Sequence, residues 1–206
     1  MLTLCGLPGL DAAAKCRFAM VDLDESLHSR LLEVREVLMY SFDFEVLVEP
    51  LPPEVFGSPS RWLPAFSVVD ADWIAVARDA IGGVFVVCER EGGRQCCLHV
   101  DTQGHAVVVG KTLAEAVTLV ILLPYWRELL TDSAGDLTTM QRVAEEQEQT
   151  IALDFPAIPA ARADLLTTLR LERWTNPVAR LYDLAVRSPA PVSVMSPHGW
   201  QYQSLV

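Results

Sequence analysis

The sequence predicts an α+β protein: a mostly antiparallel, twisted sheet covered by helices, with a helical C-terminal section. Three observations point there. Between Trp73 and Val109, short β-type runs alternate with turn residues. At Thr112 the apolar spacing changes to that of a helix. Beyond Asp136 the pattern is helical through Arg187.

The strand runs come first. Trp73 to Ala77 is a short β-type run, broken by Asp79-Ala80. Val84 to Glu89 is β-branched and aromatic, which suits a packed, pleated surface. Gln95 to Val100 and His105 to Val109 follow, separated by Glu91-Gly92-Gly93 and by Asp101-Thr102-Gln103-Gly104. Runs of this length joined by glycine turns are hairpin signals, and three in a row make a meander. Their near-continuous apolar character predicts strands buried on most of their surface, with helices over one face.

The helix after Gly110 has Thr112 as N-cap and Glu115 three residues on, the spacing of a capping box. Leu113, Ala116, Val117, Val120 and Ile121 fall at helical spacing, and Ala116 to Leu123 is apolar nearly all round. Such a helix lies deep against a sheet. It is too short for a membrane span, which needs ~20 apolar residues. Pro124 interrupts it, and Tyr125-Trp126 mark where the chain bends or restarts.

Towards the N-terminus, Leu2-Thr3-Leu4 reads as a short strand and Asp11 to Lys15 as a helical turn. Asp22 or Asp24 then caps a helix running to about Tyr40. Phe42, Phe44, Val46 and Val48 alternate as in a strand, which Glu49-Pro50-Leu51-Pro52-Pro53 ends because proline cannot donate to a ladder. Pro59, Ser60 and Pro64 make the next segment irregular, with Trp62, Phe66, Val68 and Val69 packing it down. Three helices are expected after the boundary at residues 132–136: Leu137 to Leu153, Pro159 to Trp174 and Pro177 to Arg187. Glu145 to Gln149 is expected on an exposed face, and Val192 to Met195 with Trp200 to Val206 as a hairpin-like return. The 206 residues read as one domain, an α+β core over 1–131 and a helical extension with a return segment over 132–206.

Composition narrows the function classes. A hydrophobic fraction of 51% describes a globular chain. Asp and Glu number 27 against 16 Lys and Arg, a net charge of −11. That balance disfavours nucleic acid and anionic membranes and favours a basic partner through steered association. Residues 1–10 lack the basic and apolar regions of a signal peptide. The five cysteines have no framework spacing, and packed, reduced thiols in a cytoplasmic protein are expected. Nothing in the sequence requires more than a monomer.

No catalytic, cofactor or metal constellation emerges. Cys97 and His99 share one side of a strand, but a zinc site needs further ligands and no CxxC or HxxxH is present. As a nucleophile pair they lack an oxyanion loop. Gly82-Gly83 and Gly92-Gly93 do not have phosphate-loop spacing. Asp70 and Asp72 form a turn without a third acid in register, Ser196 and His198 lie two apart in a turn, and His28 and His105 read as ordinary surface or strand residues. The acidic positions remain: Asp22, Asp24 and Glu25 ahead of the first helix, Asp43, Glu45 and Glu49 on the following strand, and Glu145, Glu146 and Glu148 later. They read either as a solvated face or as a surface complementary to a basic protein, and the first six are the candidate partner-binding residues.

The segments ARDAIGGVFVVCE (77–89) and CLHVDTQGHAVVVGKTLAEAVTLVILLPYW (97–126) resemble the core of the SUKH superfamily. The glycine pair is Gly82-Gly83 and the turn glycine Gly104; the tail SPHGWQYQSLV (196–206) resembles the ending of such proteins. Ahead of the pair, Arg78-Asp79-Ala80-Ile81 lacks the second glycine of that turn. The resemblance implies a non-enzymatic role: an immunity protein of a bacterial toxin system, binding its cognate toxin, often a nuclease, or a protein-binding scaffold. Three function classes stand at this point. They are the stoichiometric toxin binder, a scaffold for another protein, and a small enzyme using Cys97 and His99 or Ser196 beside His198.

Overall fold

The computed structural model describes residues 21–56, 65–187 and 192–205. The expected strand at Leu2 to Leu4, the helical turn at Asp11 to Lys15, and the segment holding Pro59, Ser60, Trp62 and Pro64 lie outside them. The described chain is an α+β structure. Two short helices, α1 (Glu25–Glu33) and α2 (Arg35–Phe42), precede β1 (Glu45–Leu51). Then come β2 (Ser67–Val69), β3 (Asp72–Arg78), β4 (Val84–Arg90), β5 (Arg94–Val100) and β6 (Ala106–Gly110). Five further elements follow: α3 (Leu113–Leu122), α4 (Trp126–Ser133), α5 (Leu137–Asp154), α6 (Ile158–Thr168) and α7 (Pro177–Tyr182). A π turn, Asp183–Arg187, and β7 (Ser193–Met195) complete the order.

The main sheet has the order β1-β3-β4-β5-β6, with every pairing antiparallel. The meander expected from the glycine turns is its centre. Alternation along the strands sends side chains to two covered faces. Phe85, Val87, Cys97, Val107 and Val109 meet the helices, where Leu27, Leu31, Leu38, Ile121, Leu129, Met140 and Leu165 join one core. Val84, Val86, Cys88, Cys96, Leu98 and Val100 face the other way, under Phe66, Val68, Leu184, Val192 and Val194. There the β2–β7 pair forms a small second sheet, and Phe66 stacks on Trp73 at 4.7 Å.

Several sequence expectations need correction. The first helix is two, divided at Val34, whose ψ of 12° leaves the helical range. Its second half runs to Phe42, so Phe42 ends a helix and does not start a strand. β1 ends at Leu51, inside the expected Glu49–Pro53 run; it holds Pro50 because it is an edge strand with an irregular register after Val46, where a missing N–H is tolerated. Ser67–Val69 is a strand because β7 returns to pair with it. Glu148 leaves the exposed face of α5, since its carboxylate accepts from the Tyr125 hydroxyl and from Arg162 Nη1 at 2.7 Å. The C-terminal return does more than form a hairpin: Gln203 O accepts from Ala106 N–H at 2.8 Å, covering part of the β6 edge.

The junction between β6 and α3 fixes the deepest helix. Gly110 sits so close to the first turn that a Cβ there would lie 2.6 Å from Ala116 N. Thr112 Oγ1 accepts from Glu115 N–H at 3.2 Å, as a cap should. The return bond differs from the expected box, because Glu115 Oε2 accepts from Lys111 N–H at 2.8 Å. Its other oxygen pairs with Arg180, tying α7 to the start of α3.

Candidate functional site

Two polar assemblies stand out, one at each end of β1 and β3. The first is buried. Asp79 follows β3, His99 lies near the end of β5, and Arg127 opens α4 after the chain has bent at Pro124. Asp79 and His99 are 3% and 1% exposed. His99 Nε2–H donates to Asp79 Oδ2 at 2.7 Å, and Arg127 Nη2 donates to the same oxygen. Asp79 Oδ1 accepts from the N–H groups of Gly83 at 2.8 Å and Ile81 at 2.9 Å. Gly83 is required by space: any Cβ there would overlap Asp79 Oδ2 and His99 Nε2. Trp126 and Phe85 meet the imidazole edge-on, at 5.1 and 4.9 Å between centroids.

Charge follows from this packing. Burial alone would raise the Asp79 carboxyl, but the hydrogen bond from His99 and the charge of Arg127 outweigh it and hold the group below the usual carboxylate range. Burial, with Arg127 adding to it, keeps His99 below its ordinary value against the pull of Asp79. The ring is therefore neutral, with its proton on Nε2. His99 Nδ1 is buried and has no hydrogen-bond partner. No nucleophile is joined to it among the described residues. Cys97 is fully buried on the same strand face, and burial pushes its thiol far up, so it stays protonated. The cluster's hydrogen bonds join β3, β5 and α4 at one corner.

The second assembly is at the surface. Asp22 N–H donates to Glu89 Oε2 at 2.9 Å, and Gln95 Nε2 donates to Asp22 O at 2.7 Å, pinning the entry to α1 on the end of the β4–β5 hairpin. Asp24 caps α1 by accepting from Leu27 N–H at 2.8 Å. His28 Nε2–H donates to Leu47 O at 3.0 Å, so α1 lies over β1. Between them runs an open groove of about 1170 Å³, lined by Asp22, Asp24, Glu25 and Glu49 with apolar Val48 and Pro50. The carboxylates of Asp22, Glu25 and Glu49 have no cationic partner among the described residues.

No protein-family model, curated protein or solved structure matches the chain.

The six acidic positions singled out in the sequence thus divide. Asp22, Asp24, Glu25 and Glu49 line the groove. Asp43 and Glu45 lie towards the buried cluster and have internal partners: Asp43 Oδ2 is 3.6 Å from Arg127 Nη1, and Glu45 receives both ends of Arg78 at 2.7 Å. A carboxylate already paired with arginine offers less to an outside cation. The remaining sequence candidates do not converge. Asp70 is exposed at a turn and Asp72 at the start of β3, and Ser196 Oγ accepts from Trp200 N–H at 3.1 Å beside an exposed His198. Among the described residues no group of three or more His, Cys, Asp or Glu could hold a metal ion. No described helix is long and apolar enough to cross a membrane.

The Asp79–His99–Arg127 cluster was missed in the sequence, although a signal existed. A histidine inside an apolar, two-sided strand needs a buried partner. In the meander register His99 lies opposite Phe85, and Asp79 stands at the mouth of the neighbouring hairpin.

Proposed function

We infer that this protein is a non-catalytic protein-binding domain, and that it acts as an immunity protein, neutralising a cognate bacterial toxin by stoichiometric contact through an acidic surface. The groove of Asp22, Asp24, Glu25 and Glu49 carries the reading. Its acids surround exposed apolar surface, with Val48 64% exposed. Interfaces combine such an apolar anchor with a polar rim. A nuclease toxin must present cations to phosphate, and an acidic inhibitor covers that surface and finds it quickly. The net charge of −11 acts in the same direction at longer range. The resemblance of 77–126 to the SUKH core supplies the biological setting.

Affinity capture from a lysate of the source organism, eluted with a salt gradient and followed by mass spectrometry, tests this. The expected result is one basic protein released at high salt, whose toxic activity is suppressed at a one-to-one ratio. Capture of several unrelated proteins, with no activity suppressed, would instead support a scaffold.

A further inference from the structure

The sheet face turned away from the helices holds two thiols that the binding role does not use. Cys88 on β4 and Cys96 on β5 are direct partners in the antiparallel register. Both point to the same side, among Val86, Leu98 and Val84, and are 0% and 3% exposed. Directly opposed residues of an antiparallel pair have Cα atoms ~4.5–5.5 Å apart. A disulfide spans ~4.4–6.8 Å between Cα atoms, so the spacing of directly opposed residues falls within its reach. The neighbouring Cys97 packs on the opposite face, with the helix-side core.

We propose that Cys88 and Cys96 form a reversible oxidation site, closing a cross-strand disulfide when the protein meets hydrogen peroxide. Cys96 is the attacking sulfur. The hydrogen bond donated by the Cys88 thiol, and the charge of Arg90, hold Cys96 below the ordinary thiol value against its burial. Cys88 keeps its proton, because the hydrogen bond it donates and its burial both push it up. In the first step the Cys96 thiolate attacks one peroxide oxygen. The O–O bond breaks, and the departing hydroxide takes a proton to leave as water. Cys96 is now a sulfenic acid. Cys88 then gives up its proton and attacks that sulfur, and the hydroxyl leaves as a second water. The two sulfurs lose two electrons in total, and one peroxide becomes two waters. A dithiol reductant reverses the bond by exchange.

The test is peroxide treatment of the folded full chain, then unfolding in denaturant with alkylation of the remaining thiols by iodoacetamide, and non-reducing peptide mass spectrometry. The expected product is a peptide pair joining 79–90 to 95–111, lighter by about 2 Da than the sum of its reduced parts. Fragmentation should place the alkyl group on Cys97. Dithiothreitol should abolish the link, and Cys88→Ser and Cys96→Ser should each prevent it, while Cys97→Ser should not. The proposal is overturned if Cys96 becomes sulfinic acid without a link, if the link uses Cys97, or if both thiols survive peroxide that oxidises an unfolded control. The wild-type fragmentation alone decides the case should a variant fail to fold.

Discussion

Asp79 shows how one side chain sets the chemistry of a corner of this fold. Its carboxylate accepts from two backbone N–H groups, an imidazole and a guanidinium. A buried carboxylate without such partners would be strongly destabilising. The arrangement predicts an acid-sensitive fold, with two onsets. His99 sits below its ordinary 6.5. The unfolded chain therefore takes up a proton first as pH falls, and stability declines from near 6.5 downward. Asp79 is held below 3.8, so its contribution is complete above that value and is lost as pH falls through the lower, folded value. His99→Gln, which keeps an N–H to face Asp79, should remove the first decline and leave the second. Urea denaturation from pH 8 to about pH 2 measures both; an unchanged pH profile in the variant would contradict the assignment. Gly83→Ala tests the packing of the same corner. Its Cβ meets Asp79 and His99 within a well-filled site, so a loss of about 2–3 kcal/mol is expected, read by the same denaturation.

At the scale of elements, much was legible because local chemistry and tertiary packing agree. The glycine turns at Gly92-Gly93 and Gly104 and the β-branched runs between them gave the meander, and the change of period at Thr112 gave α3. Thr112→Ala should therefore cost about 1 kcal/mol, with loss of helical signal confined to α3 and its contacts. Boundaries and partners were less legible. Val34 has no glycine or proline beside it to mark a break, and the division of α1 from α2 is visible only in its backbone angles. Ser67–Val69 becomes a strand only because residues 193–195 return from far along the chain. The corner of Asp79, His99 and Arg127 joins residues 20 and 48 positions from Asp79, a distance over which no spacing rule operates. The acidic groove was legible in type but not in membership. Sequence proximity placed Asp43 and Glu45 beside Glu49, whereas arginines at the other end of the sheet claim them.

Across the whole molecule the sheet is covered on both faces, one by the helices and the other by β2, β7 and the aromatic residues around Trp73. Among the described residues, Asp22, Glu25 and Glu49 line the rim between α1 and β1 with no cationic partner. The buried cluster and the groove sit at different ends of the sheet, so each can be altered without the other. Asp24 should be spared in any such test, because it caps α1. The decisive measurement is the association rate of the captured basic partner with the wild-type chain and with Asp22→Asn/Glu25→Gln/Glu49→Gln, over a range of salt. Binding through the groove predicts a rate lower by about tenfold or more at low salt, a flatter salt dependence and unchanged stability in the variant. Glu45→Gln, which removes a carboxylate already paired with Arg78, should leave the rate nearly unchanged. Equal rates and equal salt slopes for the wild-type chain and the triple variant would contradict the assignment of the groove as the binding surface.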